Sequence, residues 1–445
     1  MTTSNAIRRG LPLWLPLLLL AASAPAWAGT YDVFGTGARA IALGGAYTAV
    51  GDDIAGLYYN PAAITQIERL DLELAYGRMN PQLLINGRAQ NIDDNRGFTL
   101  GGVVSTKILD RRLSLGLNFF LPDAHFMRFL VLSGNQPHAA LDANANHIFT
   151  CLIGAGYQLT DRVSVGVGVN VLATEIGGVN FTINEKTPSE GSVFSDLSPS
   201  YALIAGVWAR PVDWFRIGAA FRDKVEMHFS LPNVIHIPAL TIWQTNNVTI
   251  LRPSLLDLAA ESNSHFSPRA VEFGVAFEPD KHWQISANLT WDQWSAMRTD
   301  APYASVTVTG GLGDVFPTKP GVRPAPPDFY DTFSAALGVE GRPLLTEHWQ
   351  VALRGGYRYR PTPVPDQGSV NNYLDADAHI FSLGVGAIGR ALSAYLPHSL
   401  ALDAYGQYQY SPARVYQKNS PDDFIGDLKF RQLWYGGGAS LSVRF

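Results

Sequence analysis

The chain has 445 residues, 47% of them hydrophobic and only 16% charged, with a net charge of −5 and a mean hydropathy of +0.02. A soluble domain usually carries about 25% charged residues, yet no run of apolar residues beyond the first thirty is long enough for a membrane helix. This composition excludes a disordered chain and a helical membrane bundle, and the acidic balance offers no basic field for nucleic acid. A transmembrane β-barrel reconciles the terms, because its lipid face and polar lumen alternate along every strand and cancel on average.

In chain order, Arg8 and Arg9 precede a leucine-rich run from Leu11 to Ala24, followed by Ala26-Trp27-Ala28. A charged start, a short apolar stretch and an A-x-A exit read as a secretory signal peptide over residues 1–28. Pro12 and Pro16 argue against a permanent anchor. Loss of the two arginines takes the net charge from −5 to −7. Cys151 is the sole cysteine, so neither an intrachain disulfide nor a cysteine metal site is expected.

Residues 29–68 show no alternation. Glycine and alanine dominate, two short helical stretches are plausible, and Asn60-Pro61-Ala62 would break a helix. Gly35-x-Gly37-x-x-Ala40 superficially resembles a dinucleotide fingerprint, but no strand precedes it and no βαβ unit follows. A small-residue segment upstream of a barrel is expected to fold inside it as a hatch.

From residue 69 onward the period is two. Leu70, Leu72, Leu74 and Tyr76 oppose Asp71 and Glu73, and Leu113, Leu115, Leu117 and Phe119 oppose Ser114 and Asn118. Valines alternate with small and polar residues over 163–171, and Trp349, Val351, Leu353, Tyr357 and Tyr359 oppose Arg354, Arg358 and Arg360. With weaker runs near 98–107, 147–158, 200–209, 215–226, 269–278, 332–341 and 379–389, and clear ones at 283–291, 400–410 and 432–445, the expectation is fourteen strands. Tyr405 alone falls on the polar face of its strand. Connections alternate strictly between long (80–97, 122–146, 174–199, 227–268, 295–331, 361–378, 411–431) and short. An even-stranded outer-membrane barrel with both termini periplasmic demands that order. The domains expected are therefore a hatch over 29–68 and a barrel over 69–445.

Several motifs here resemble the FadL-type outer-membrane transporters of long-chain fatty acids and aromatic hydrocarbons. The run from Gly37 to Ala62 (G-A-R-A, L-G-G-A, D-D, N-P-A) is similar to that family's hatch, and Trp291-x-x-Trp294-Ser295 to its W-S segment. Asp331-Thr332-Phe333, Leu353-Arg354-x-Gly356-Tyr357 and Pro361-x-Pro363-Val364-Pro365-Asp366 resemble its most recognisable stretch. The resemblance implies an all-β, 14-stranded antiparallel barrel with a partly helical hatch in the lumen, capture of ligand by outer loops, and lateral exit where an inward-kinked third strand meets the N-P-A turn. On that strand Gly116 packs no side chain and is the expected weak point. Two departures bear on substrate: Arg360 stands where the family often has an acidic residue, and His379 where it often has arginine.

Gate and hatch candidates are then Arg39, Asp52, Asp53, Asn60, Pro61 and Gly116. Apolar residues in two long connections, Phe126, Phe129 and Leu130 in one and Ile237, Leu240, Trp243 and Ile250 in the other, make an expected capture groove. Arg216, Arg222, Arg354 and Arg358 are head-group candidates by parity, with structural pairing to lumenal carboxylates such as Asp71, Glu73 and Asp403 as the competing role. No G-x-S-x-G or H-E-x-x-H occurs. The reading is passive uptake of hydrophobic small molecules, long-chain fatty acids first and aromatic hydrocarbons as the alternative. A barrel enzyme or secretion accessory stands further back. No cofactor is expected. The expected surroundings are outer-membrane lipid and lipopolysaccharide around a monomer, with Phe445 addressing the barrel-assembly machinery.

Overall fold

Strands surrounded by hydrocarbon need a partner on both edges, because an unpaired backbone amide has no water there. The computed structural model describes residues 34–90, 92–123, 137–139, 149–182, 190–237, 240–244, 247–297, 303–311, 313, 327–368, 371–390 and 399–445, and its sheet closes on itself. The strands are β1 (Leu70–Ile85), β2 (Asn95–Ile108), β3 (Arg111–Pro122), β4 (Thr150–Thr160), β5 (Val163–Thr182), β6 (Glu190–Val212) and β7 (Phe215–Arg222). They continue with β8 (Arg269–Asp280), β9 (Trp283–Gln293), β10 (Thr332–Leu345), β11 (Trp349–Arg360), β12 (Ala378–Arg390), β13 (Ser399–Tyr416) and β14 (Leu428–Arg444). Each pairs antiparallel with its chain neighbours, and β14 returns to β1 from Asp71↔Arg444 to Ile85↔Phe430. The fold is the 14-stranded antiparallel barrel that the alternation implies.

Parity sets the two faces. On β1, Leu72, Leu74 and Tyr76 are exposed to the outside while Asp71 and Glu73 are buried within. Leu383 and Leu353 likewise face outward, and Tyr405 turns into the lumen as its parity dictates.

Several elements differ from expectation. β5 and β6 continue pairing to Thr182↔Glu190, so much of 174–199 is ladder rather than loop. The strand expected over 215–226 ends at Arg222, where Asp223 donates its amide to Leu203 O and receives Arg269 at 2.8 Å. Beyond it, Val225–Ile237 and Ser254–Ser267 form an antiparallel hairpin within the 227–268 connection. Pairing persists there because strands already side by side lose little further freedom in extending the ladder.

At the long-loop end, Leu83, Phe266, Phe329, Val364, Tyr373 and Phe430 belong to one buried apolar cluster. At mid-barrel the lumen is filled by the chain's own N-terminal part. Residues 34–67 are almost entirely buried and form helix α1 (Ala38–Ala42), helix α2 (Gly56–Tyr59) and a 3-10 turn at Ala63–Gln66.

Candidate gate and ligand-binding site

Small residues let this segment press against the wall. Its turns use Gly44 and Gly45 at positive φ (67° and 79°), which reverse the chain after α1. Lumenal glycines on successive strands receive it. Gly116 and Gly154 face Leu57, Gly166 faces the Pro61–Ala62 backbone, Gly206 faces Asn60, Gly338 faces Leu43 and Gly356 faces Gly44. A Cβ at Gly356 would stand 2.1 Å from the Gly44 nitrogen, a backbone atom that cannot swing aside. Gly356→Val is therefore expected to displace the hatch at a cost of about 1–3 kcal/mol or more. The check is a lower dissociation temperature on heat-modifiability gels together with raised ion conductance.

Asn60 and Pro61 act as the expected breaker and also as a staple. Pro61 ends α2. The Asn60 amide donates to Thr48 O at 2.9 Å and to Val207 O of β6 at 3.0 Å, while its oxygen accepts the Ala62 amide at 3.1 Å. Trp208 Nε1 donates to Ala49 O at 2.9 Å, and Thr65 Oγ1 to Ser164 Oγ at 2.7 Å. The N-P-A turn thus meets β4, β5, β6 and β7, at Gly156, Gly166, Gly206 and Gly218.

The third strand corrects a second expectation. Its ladders to β2 and β4 run without a register shift through Val103↔Gly116↔Gly154, so β3 carries no break at Gly116. Gly116 is instead a slot for Leu57, whose Cδ2 lies 2.6 Å from where a Cβ would be.

The base of the hatch is ionic. Arg39 pairs with Asp52 and places Nε 2.8 Å from Glu340 Oε2. Glu340, 1% exposed, also takes Arg354 at 2.7 Å and Arg342 at 2.9 Å. Arg354 reaches Asp403, Arg216 reaches Glu278 at 2.7 Å and Asp52 at 3.6 Å, and Arg342 reaches Glu278 at 3.5 Å. Four guanidiniums (Arg39, Arg216, Arg342, Arg354) thus meet four carboxylates (Asp52, Glu278, Glu340, Asp403) in one connected, charge-balanced network. Burial raises the Asp52 carboxyl, but Arg39 and Arg216 more than offset it and hold it below the usual range. Burial keeps neighbouring Asp53 above that range, and it accepts Tyr47 OH at 2.6 Å and the Ala55 amide at 3.0 Å. Higher up, Arg222 pairs with Glu272 at 2.6 Å and lies 4.4 Å over the Tyr58 ring, and Glu272 accepts Thr48 Oγ1 at 2.6 Å.

Of the four lumenal head-group candidates, Arg216, Arg222 and Arg354 are therefore occupied by carboxylates. Arg358 is not: it approaches the hatch at Gly45 and makes no ion pair among the described residues. In the expected capture groove, Phe126, Phe129 and Leu130 lie outside the described residues. Ile237 is half-buried at the end of its hairpin strand. Leu240, Trp243 and Ile250 lie on a two-stranded hairpin of which only the backbone is described. Sequence reasoning missed Leu57, Glu272 and Glu340. The two glutamates were legible in principle as acidic residues at the lumenal parity of β8 and β10.

A closed antiparallel barrel with a lipid-facing apolar exterior, filled by its own N-terminal hatch, defines a plugged outer-membrane barrel. Residues 17–388 match the sequence profile of the outer membrane protein transport proteins (OMPP1/FadL/TodX), and the chain belongs to that family. It is an outer-membrane transport protein of Gram-negative type. Among solved structures, it is similar to a Pseudomonas aeruginosa FadL homologue (TM-score 0.56, 15% identity, 94% of this chain and 98% of that one). It is also similar to the P. putida toluene transporter TodX (0.56, 16%, 93% and 99%) and to the CymD monoaromatic hydrocarbon channel (0.52, 15%, 93% and 98%). No curated protein sequence matches the chain.

Proposed function

We propose that the chain is a passive, hatch-gated uptake channel for hydrophobic small molecules, with long-chain fatty acids as its principal substrates. The observation that carries the reading is the buried apolar cluster at the long-loop end of a lumen that the hatch fills lower down. Apolar solutes partition into such a cluster without any energy input. In this reading the gate is the Leu57 contact with Gly116: withdrawal of α2 would clear the lumen beside β3, and lateral exit would further require the continuous β2–β3–β4 ladder to part there. Asp52 and Arg39 anchor the hatch, while Asn60 and Pro61 fix its far side. The similarity to a toluene transporter and a monoaromatic hydrocarbon channel supports aromatic hydrocarbons as the second reading. Lipid and lipopolysaccharide surround the barrel in this reading. Phe445, half-exposed with its amide on Leu70 O at 2.9 Å, is the element offered to the assembly machinery.

Proteoliposomes carrying the protein should take up labelled oleate and toluene faster than empty ones, with no dependence on a membrane potential. Equal rates with and without the protein for both solutes would refute the reading.

A further inference from the structure

On the lipid face, the layer of side chains is interrupted where two glycines of neighbouring strands stand diagonal to each other. The row Trp283–Gly341–Leu353 crosses β9, β10 and β11, and the row beside it, Ile285–Val339–Gly355–Leu383, reaches β12. These rows have the outward parity, because Glu340 and Arg354, which alternate with them, are buried in the lumenal network. Outward positions of a membrane strand ordinarily carry large apolar side chains, and Gly341 and Gly355 carry none. The result is a notch of about 630 Å³ in the outer surface, floored by the two glycines and walled by Trp283, Val339, Leu353 and Leu383. Small-molecule sites commonly span about 300–1,000 Å³, so the notch has the size of a site.

Local structure keeps it open. The Trp283 ring leans over Gly341, with Cζ3 3.0 Å from where a Cβ would stand. At Gly355 a Cβ would meet Leu383 Cδ2 at 3.9 Å and nothing nearer. Leu383 itself is 72% exposed and stands clear of the wall. Just past Gly341 the β10–β11 register slips by one residue before Leu344↔Val351, a bulge that holds Pro343. Proline suits a bulge, having no amide to leave unpaired. Arg342, in the same bulge, is tied to the β8–β9 turn: its amide donates to His282 O at 2.7 Å and its carbonyl accepts from His282 Nδ1 at 3.0 Å.

The walls belong to the lipid-facing side, so hydrocarbon is what the notch meets. It lies beside a short turn, at the end of the barrel that holds the chain termini, where the membrane leaflet is phospholipid. Trp283 and Trp349, each half-exposed on the outside, mark the headgroup level there. Lys281 is exposed on the turn next to His282 and makes no ion pair among the described residues. The neighbouring carboxylates are engaged: Asp280 accepts the His282 and Trp283 amides at 2.7 and 3.1 Å, and Glu278 takes Arg216 at 2.7 Å. We propose that the notch seats one acyl chain of a periplasmic-leaflet phospholipid, whose phosphate is held at the turn by Lys281. Within a bilayer the chain gains packing contacts rather than release from water, so selectivity over bulk lipid comes from the fit between Trp283 and Leu383 and from the phosphate contact. The notch and the lumen lie on opposite faces of the wall, so neither this seat nor its test depends on the uptake reading.

Native mass spectrometry of the full chain in detergent, with dipalmitoyl phosphatidylglycerol added in steps, reads the binding. Wild type is expected to take one lipid clearly ahead of the rest. Gly355→Leu fills the notch and should weaken that first step about fivefold or more, whereas Ala335→Leu, at an exposed outward position farther along β10, should change it less than about twofold. Lys281→Gln should weaken phosphatidylglycerol and leave dipalmitoylglycerol, which has the same chains and no phosphate, unchanged. Heat-modifiability gels confirm that each variant is folded. A ladder of equal binding steps in wild type, or equal losses from Gly355→Leu and Ala335→Leu, overturns the seat. No loss, or equal loss of both lipids, in Lys281→Gln overturns the phosphate contact. Displacement of the first lipid by equimolar oleate would overturn phospholipid as the occupant and put a transported solute in its place.

Discussion

Replacing Glu340 by Gln is expected to loosen the hatch and to leave the barrel wall intact. Glu340 is the only member of the basal network that touches three guanidiniums, those of Arg39, Arg342 and Arg354. The network is neutral as it stands, four charges against four, so neutralising its centre leaves one buried positive charge in excess. Removing one partner from a buried ion pair costs about 3–5 kcal/mol, chiefly because the remaining charge has lost its compensation. The loss falls on the hatch, since Arg354 keeps Asp403 and Arg342 keeps Glu278, both on wall strands, whereas the one carboxylate Arg39 keeps is Asp52 of the hatch itself, with a long 3.5 Å bond to Gln284 of the wall. The expected results are a lowered urea midpoint, higher single-channel conductance and greater sensitivity of cells to large antibiotics. A double-mutant cycle with Arg39→Gln checks the cause: the pair should cost far less than the sum of the singles. Strict additivity would mean that Glu340 does not hold the hatch through Arg39.

The barrel could be read from the sequence because membrane strands repeat one rule. Leu72, Leu74 and Tyr76 outward with Asp71 and Glu73 inward is a local pattern, visible without knowing any partner. The hairpin at 225–237 and 254–267 was not visible. Outside the membrane there is no lipid face to enforce alternation, and Pro232 and Ala259–Ala260 break it. Site chemistry was harder for another reason. Parity could say that Arg216, Arg222, Arg354 and Arg358 point inward, but pairing depends on register between strands. Arg354 is paired with Glu340, 14 residues away across one hairpin, and with Asp403, 49 away, while the carboxylate that pairs with Arg222 lies 50 away at Glu272. The hatch contacts were similarly hidden. Gly116 reads as a gap in a strand, and only the fold shows that the gap is filled by Leu57.

That filled gap makes the strongest test of gating. Leu57→Cys combined with Gly116→Cys is expected to form a disulfide on oxidation and to stop uptake until it is reduced. Leu57 Cγ lies 3.0 Å from the Cβ position at Gly116, which brings the two Cβ atoms into the range a disulfide spans. Shortening Leu57 to Cys also vacates the slot, so the new side chain on β3 does not collide with the hatch. The native thiol, Cys151, is buried on the neighbouring strand and is replaced by Ser to prevent a wrong pairing. The crosslink fixes α2 to the wall at the contact that the proposed gating would break, and it leaves the basal ion network and the apolar cluster untouched. Capture of ligand should therefore persist while transfer ceases: dodecanoate binding stays near the wild-type value, and uptake into vesicles falls to background. A gate is a two-position element, so locking it must separate binding from flux. Full uptake by the oxidised form would show that substrate leaves without moving α2. Loss of binding together with flux would place the crosslinked region in the capture site instead. Restoration by reductant excludes misfolding, because a barrel that had failed to assemble would not recover.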